Sequence, residues 1–383
     1  MGLNLIKKHF TSLCDFCEYC NMFSKDLVTE NDATQKTRQH LMTLGRLDSI
    51  DALRLFASFL IVVLHWTTDN ILGQGLHLLA KNAVPVFFII SGFFVPLLCI
   101  KGKIRKQQRK ILNLTLMSLL LYLIIYFMQS PSGLLISLRK VFDYKNLIVL
   151  LITNRTSHFE GGHLWFLLAL LYDLVLLGEF YKRRYCKYVW VLMFMLFFAN
   201  FMIANYVDAS VCYIYRNFLF TGFPYMCVGG VIFFYRETLS RIVHANVVLP
   251  ILLIISFAML LAEIWIYGVF GLPIHREHYV SIIFSSIIIV LWVINNPAFM
   301  AGTFIPEWGR KYAVYVYVFH WLFRRLLYSV LPNSVHLSLI LPITAFLLSL
   351  VMSMLYVYVV DKVCSFIRKR SSTPMSIPIQ RML

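Results

Sequence analysis

The sequence is poor in charged residues. Of its 383 residues only 14% are charged, whereas 60% are hydrophobic, and the mean hydropathy is +0.74. Soluble domains contain about 25% charged and about 45–50% apolar residues, so this composition excludes a soluble globular protein. The apolar runs are instead expected to lie in a membrane, where one spanning helix needs about 20 residues.

Ten apolar runs have the length of a membrane span. They cover residues 50–69, 78–100, 111–128, 164–180, 188–205, 218–235, 247–268, 279–294, 312–330 and 338–360. The sequence therefore predicts an all-α, polytopic integral membrane protein with about ten transmembrane helices. A further apolar stretch, 134–152, contains Arg139, Lys140, Asp143 and Lys145, and we interpret it as re-entrant or interfacial. A full span there would place the C-terminus on the other side of the membrane.

Acidic residues are scarce relative to basic ones. The chain has 35 Lys and Arg against 18 Asp and Glu, which gives a net charge of +17. The basic residues concentrate in the tails and in alternate loops, and positively charged loops stay cytoplasmic. Both termini are therefore predicted to be cytoplasmic, and the charge to attract anionic lipid rather than nucleic acid. The predicted division is a tail over 1–46 that includes a candidate interfacial helix, a transmembrane domain over 47–361, and a tail over 362–383.

Several common signatures are missing. The sequence has no Gly-rich phosphate loop, no H-E-x-x-H and no G-x-S-x-G motif. Cys14, Cys17 and Cys20 form a C-x2-C-x2-C run, but a closing ligand at normal metal-site spacing is missing, so we favour reduced thiols and predict no metal. Residues 1–46 lack the pattern of a cleavable signal peptide, and we expect the first span to act as the insertion signal.

The first span contains polar residues that are expensive at membrane depth and often functional. Arg54 and His65 are eleven residues apart, which is about 20° beyond three helical turns, so they share a face about 16 Å apart. Asp51 is expected to pair with Arg54. A histidine is suited to remove a proton from a hydroxyl near neutral pH; alternatively, His65 is a buried residue bonded to a carbonyl. Asp69 either orients its ring or is simply solvated.

These residues resemble the first-helix signature of the acyltransferase-3 family of bacterial integral membrane O-acyltransferases. Further segments that resemble the family follow in order: residues 83–93, His163 to Leu167 (HLWFL), Arg216-Asn217 with Gly222 to Gly229, and Tyr317 to His320 (YVFH). The likeness runs from about residue 46 to 325. Pro85 stands where many members have an acidic residue, so chemistry that depends on that carboxylate is not implied. Nothing similar to the esterase-like domain of some relatives follows the last span.

The resemblance implies an acyl-CoA-dependent O-acyltransferase of the bacterial inner membrane. The usual acyl group is acetyl, and the acceptor is a hydroxyl of a cell-surface or lipid-linked glycan such as lipopolysaccharide. His65 would act either as general base or as acyl carrier, and Arg54 would line the path of the pantetheine arm. Arg105 and Arg109, with Lys106 and Lys110, are candidates for binding the phosphates of acyl-CoA, since guanidinium groups suit phosphate recognition. The alternative role of this basic cluster is an orientation signal.

The remaining candidates lie in other spans. Arg54, Ser91 and His320 are predicted to be catalytic together with His65, and the predicted substrate-binding residues are Asp51, His163, Trp165, Arg216 and Tyr317. Ser91, His163, Trp165, Tyr317 and His320 are also candidate donors to the thioester oxygen. The structural alternatives are close helix packing at Ser91 and an interfacial belt position for Trp165. Arg324 and Arg325 either snorkel to the outer surface or bind an acidic glycan.

A second class of protein has the same kind of composition. A secondary transporter or lipid-linked glycan flippase also places Arg, His and Asp inside spans. Such proteins tend to show repeated halves, and we find no correspondence between 50–200 and 201–360. A receptor or channel would leave the basic cluster without a phosphate partner. We therefore favour the acyltransferase.

Overall fold

The computed structural model describes residues 46–66, 71–129, 133–156, 161–183, 186–206, 209–242, 247–271, 279–331 and 340–371. Within these ranges the chain is helical and contains no strand, so the predicted all-α class is confirmed. The helices are α1 (Asp48–Leu64), α2 (Ile71–Ala80), α3 (Ala83–Ile100), α4 (Ile104–Gln129), α5 (Leu134–Val141), α6 (Tyr144–Thr153), α7 (Trp165–Lys182), α8 (Cys186–Tyr206), α9 (Phe223–Ile242), α10 (Val248–Val269), α11 (Val280–Asn295), α12 (Ile305–Val330) and α13 (Ile340–Ser371).

Many of these helices have the length and apolar character of membrane spans. Six stretches in the described ranges qualify by both criteria: Ile71–Ile100, Ile104–Gln129, Gly162–Lys182, Phe218–Arg236, Val248–Val269 and Ile340–Phe366. Each of the ten predicted runs overlaps a helix, but α1 has only 17 residues, α12 carries several charges, and the run 78–100 crosses the break between α2 and α3. The membrane character is therefore supported, whereas the count of ten and the side of each terminus stay predictions. The predicted cysteine run and N-terminal helix lie outside the described residues, as does Asp69.

The segment 134–152 forms two short helices, α5 and α6, instead of one. The break follows Val141, and the Asp143 side chain caps α6 by accepting a hydrogen bond from the Lys145 backbone N–H at 2.8 Å. Asn154 ends α6 in a left-handed conformation with φ 59°. Its side-chain oxygen accepts a hydrogen bond from the Phe218 N–H at 3.0 Å. Neither helix is long enough to cross a bilayer.

The first helix ends earlier than the sequence pattern predicts. The run 50–69 was expected to be helical throughout, but α1 stops at Leu64, and His65 follows as its C-cap with φ −93° and ψ 5°. The next residues, 67–70, are Thr-Thr-Asp-Asn, which are all weak helix formers. His65 therefore lies at the end of a helix and not within one.

Helices α1 and α12 run parallel and in close contact. Gly309 near the start of α12 lies against the backbone carbonyl of Asp51, and a Cβ atom at this position would collide with that oxygen. Farther along both helices, His320 meets His65. An apolar cluster that includes Leu55 and Val316 joins this pair to α13. The glycine thus permits the backbone approach that holds the two helices in register.

Polar side chains connect the other helices. The side-chain oxygen of Asn82, just before α3, accepts hydrogen bonds from the hydroxyls of Ser285 and Ser286 on α11 at 2.5 and 2.8 Å. Glu263 on α10 accepts from the backbone N–H groups of Val280 and Ser281 at 3.0 and 3.1 Å. These N–H groups belong to the first turn of α11 and have no partner within that helix. Glu263 therefore caps a neighbouring helix.

Candidate active site

Three histidines from distant parts of the sequence meet in the structure. His65 comes from the end of α1, His163 from the short 3-10 turn Gly162–Leu164 that precedes α7, and His320 from α12. The rings of His65 and His320 are stacked with centroids 5.2 Å apart. The ring of His163 meets that of His320 edge-on at 5.1 Å. His163 and His320 are 4% and 0% exposed, so this histidine cluster is largely shielded from water.

Two tyrosines brace the histidine cluster through backbone carbonyls. The hydroxyl of Tyr317 donates to the carbonyl oxygen of His163. The hydroxyl of Tyr122, on α4, donates to the carbonyl oxygen of Val318 at 2.7 Å, and its ring packs against His163 at 4.8 Å. These bonds connect α4, α7 and α12 directly behind the histidine rings.

The tautomer of His320 follows from its own hydrogen bond. Its Nδ1 lies 2.6 Å from the carbonyl oxygen of Tyr317. A carbonyl oxygen only accepts, so Nδ1 must carry a hydrogen, and in the neutral ring Nε2 then carries a lone pair. His320 therefore presents an acceptor at Nε2, which is the form that a general base requires.

Arg324 turns inward and contacts the end of α1. Its Nε donates to the carbonyl oxygen of His65 at 2.9 Å, which places a cation at a helix C-terminus, where it is stabilised. Its guanidinium also lies over the rings of Trp321 and Tyr328, at 4.7 and 4.9 Å. The sequence suggested that Arg324 snorkels or binds a glycan and did not predict this contact. The contact depends on the approach of a helix that is distant in sequence.

Four nitrogen atoms at the histidine cluster are buried without a hydrogen-bond partner in the described part of the chain. They are both ring nitrogens of His163, Nε2 of His320 and the indole nitrogen of Trp321. Leaving such a group unsatisfied costs about 1–3 kcal/mol, and buried exceptions of this kind are uncommon. The cluster therefore has hydrogen-bonding capacity for a bound molecule. Within the same residues, no group of three His, Cys, Asp or Glu side chains is arranged to hold a metal ion.

Arg54 lies at the opposite end of α1. Its guanidinium pairs with the carboxylate of Asp51 at 2.6 Å, which confirms the predicted pair, and it also lies over the ring of Phe94 at 5.3 Å. The axial rise of an α-helix separates Arg54 from His65 by about 16 Å. The two residues therefore belong to different parts of the molecule, as the spacing predicts. The proposed roles of Asp51 and Arg54 toward substrate stay predictions.

The basic cluster is placed on a helix. α4 begins at Ile104, so Arg105 and Arg109 are one helical turn apart on one face. Both are exposed, and so are Lys106 and Lys110. The start of α4 is anchored to α7 by the Gln108 side chain, which donates to the carbonyl oxygen of Leu174 at 3.1 Å. The structure thus presents a firmly held, solvent-facing row of cations, whose binding role stays a prediction.

The remaining predicted residues make contacts outside the histidine cluster. The Ser91 hydroxyl donates to the carbonyl oxygen of Phe87 in its own helix at 2.8 Å, and the next residue, Gly92, lies against the backbone of α9. Trp165 packs against Phe88 at 6.2 Å. The backbone N–H of Arg216 donates to the carbonyl oxygen of Cys212 at 2.8 Å, and its side chain is half-buried. Ser91 is therefore engaged in its own helix, next to the contact between α3 and α9.

Sequence reasoning missed three residues of interest. Trp321 directly follows His320, and Tyr122 lies in an apolar run. Aromatic residues are ordinary at such positions, so the sequence gives no sign that either residue is functional. Asp173 in α7 is fully buried, and neither carboxylate oxygen has a hydrogen-bond partner among the described residues. Its signal was available, because a carboxylate within an apolar run is rare.

Together, the fold and the site define a helical membrane protein with a buried histidine cluster suited to proton transfer. The sequence profile of the acyltransferase-3 family, described as an acyltransferase domain, matches residues 47–362, and the chain belongs to this family. The predicted family membership is thereby confirmed, and membrane acyltransferase activity in general is supported. Comparison with curated proteins and with solved structures gave no match.

Proposed function

We propose that the protein transfers an acyl group, acetyl in the first instance, from cytoplasmic acyl-CoA to a hydroxyl of a cell-surface or lipid-linked glycan. The observation that carries this proposal is the meeting of His65, His163 and His320, with ring nitrogens of His163 and His320 that are buried and have no hydrogen-bond partner among the described residues. A hydroxyl and a thioester are groups that such nitrogens can contact. The proposed location is the bacterial inner membrane.

In the proposed reaction the acceptor oxygen attacks the thioester carbonyl carbon. A new C–O bond forms while a histidine takes the hydroxyl proton, and the C–S bond then breaks. The CoA thiolate leaves and recovers the proton, so that the products are an ester and free CoA. We assign the base to His65, with the ring of His320 stacked against it at 5.2 Å. In the alternative reaction His65 first accepts the acyl group from the thioester and then passes it to the acceptor hydroxyl. The overall products, an ester and free CoA, are the same.

The donor is proposed to enter from the cytoplasmic side. The exposed cations Arg105, Lys106, Arg109 and Lys110 would bind its phosphates, since charge-assisted bonds to phosphate are strong. The acyl-bearing arm would then pass Arg54 and reach His65 along α1. Ten spans with both termini in the cytoplasm suit this path. The parallel course of α1 and α12, the first and ninth predicted spans, supports it, because an odd number of intervening spans, here seven, makes two helices cross in the same direction.

Mass spectrometry of surface glycans tests the proposed function. Cells would express the wild-type protein, the His65→Ala variant or neither, in hosts that make different glycans. We expect an added acetyl mass per repeat with the wild type only, at equal protein levels. An ester of the same abundance with His65→Ala would remove His65 from the chemistry. A wild type that modifies no glycan and binds no labelled acetyl-CoA when purified would contradict the function.

The donor site has its own test. The double variant Arg105→Gln, Arg109→Gln is expected to raise the KM for acyl-CoA, because two phosphate contacts are lost. The matched control is Arg183→Gln, Arg310→Gln, which removes the same charge from exposed positions. If both double variants raise KM equally, the effect comes from net charge and the proposed phosphate site is wrong.

A further inference from the structure

The chemistry of acyl transfer requires a hydrogen-bond donor, and three of the expected donors are already engaged elsewhere. Negative charge develops on the thioester oxygen, and enzymes stabilise it with a preorganised donor. The Ser91 hydroxyl, the Tyr317 hydroxyl and the Nδ1–H of His320 each already donate to a backbone carbonyl. Trp165 packs against Phe88. His163 has ring nitrogens without a hydrogen-bond partner among the described residues.

Trp321 offers a further donor, in contact with both His65 and His163. Its indole ring stacks on His163 at 5.6 Å with an angle of 22°, and it meets the ring of His65 edge-on at 5.2 Å. Its indole nitrogen is buried and has no acceptor within the described residues. An indole N–H can only donate, so it needs an acceptor oxygen from outside the protein groups around it.

We propose that the indole N–H of Trp321 donates a hydrogen bond to the thioester oxygen during acyl transfer and makes Trp321 a catalytic residue. This inference rests on the proposed function. The acceptor oxygen bonds to the carbonyl carbon, His65 takes the proton, and the thioester oxygen becomes negative and receives the Trp321 hydrogen bond. When the carbonyl re-forms, the C–S bond breaks, and the CoA thiolate leaves and takes the proton.

The surroundings of Trp321 favour this role. An unpaired N–H in a membrane interior has no water to satisfy it and is costly, yet a donor that waits unpaired needs no rearrangement when charge develops. The guanidinium of Arg324 lies 4.7 Å from the ring centroid, and a cation at this distance is attracted to an indole face. It also holds the carbonyl of His65. One arginine thus fixes the positions of the base and the donor relative to each other.

The test removes the N–H and keeps the ring. Position 321 would carry 3-benzothienylalanine, a tryptophan isostere with sulfur in place of N–H, introduced by site-specific incorporation; Trp321→Phe is the simpler companion variant. With purified protein, acetyl-CoA and an acceptor glycan, we expect kcat to fall about 100-fold, as for loss of one oxyanion donor. The KM for acetyl-CoA should stay within about twofold, because the hydrogen bond strengthens only in the transition state. The control is Trp292→Phe, at a part-buried tryptophan that packs against Phe299, where kcat should not change.

The outcomes separate the two proposals. If wild-type protein forms ester and the isostere variant keeps its kcat, the role of Trp321 is wrong while the proposed function stands. A raised KM for the acceptor with unchanged kcat would assign the indole to acceptor binding and also overturn the inference. If the wild type forms no ester with any acceptor, both fail. Should Trp321→Phe be unstable, the isostere carries the decision alone, since its shape is preserved.

Discussion

Replacing Tyr317 with phenylalanine removes one hydroxyl from behind the histidine cluster and keeps the aromatic ring. The hydroxyl donates to the carbonyl oxygen of His163, and both residues are 4% exposed. After the substitution this carbonyl lies buried without its tyrosine donor. The backbone of His163 is then free to shift, and its ring with it, so we expect both stability and catalysis to suffer.

The size of the effect follows from the burial of the carbonyl. Leaving one buried acceptor unsatisfied costs about 1–3 kcal/mol. If all of this energy served to hold the His163 ring in place for the transition state, the rate would fall by about 5-fold to about 150-fold, since each 1.36 kcal/mol is a factor of ten. The thermal midpoint of the purified protein should fall as well.

Tyr122→Phe is the matched control. Tyr122 also donates from a buried hydroxyl to a backbone carbonyl, that of Val318 at 2.7 Å, so both variants lose the same kind of bond. The assay compares transfer to glycan by purified protein, normalised to folded protein, with the thermal midpoint of each variant. We expect similar losses of stability and a clearly larger loss of rate for Tyr317→Phe. Equal losses of rate would refute the idea that Tyr317 positions His163.

Three further predictions concern the frame of the site. Glu263→Gln should lower the thermal midpoint of the protein, because an amide cannot accept all the hydrogen bonds that the Glu263 carboxylate accepts from α11 and Tyr267. The transfer rate of the folded protein should not change. An unchanged midpoint would contradict the capping role of Glu263. Gly309→Ala should greatly reduce the yield of folded protein in detergent, because the added Cβ atom would collide with the backbone carbonyl of Asp51. The control is Gly75→Ala, which has open space around it. This control should fold normally and stabilise its helix by up to about 1 kcal/mol. Arg324→Gln should lower the rate more than the stability, measured as above, because the carbonyl of His65 loses its charged donor; a drop in stability alone would leave Arg324 a structural residue.

The architecture was largely accessible from the sequence because the membrane imposes a simple rule. Apolar runs of about 20 residues must be helical in lipid, and each predicted run overlaps a helix. Errors arose where a local signal competes with that rule. The polar residues after His65 end α1 early. The charges in α12 weaken its apolar pattern, although neighbouring helices bury one side of it.

The candidate site was predictable in its parts but not in its assembly. Histidines in apolar runs are conspicuous, so His65, His163 and His320 were found individually. Their stacking depends on the backbone approach of Gly309 to α1, and no local pattern encodes which helix this glycine meets. The same holds for the free hydroxyl expected at Ser91, which hydrogen bonds within its own helix, and for the inward turn of Arg324. Contacts between distant helices decide which polar groups remain available.

The parallel pairing of α1 with α12 has a consequence for biogenesis. The first histidine of the site enters the membrane with the first helix, while its stacking partner is synthesised about 250 residues later. At about 5–20 residues per second, α1 waits roughly 10–50 s beside other helices before α12 arrives. During this interval the nascent protein has no complete set of histidines. Under the proposed function, activity is therefore conferred by one of the last insertion steps, and translation products that stop before α12 are expected to be inactive.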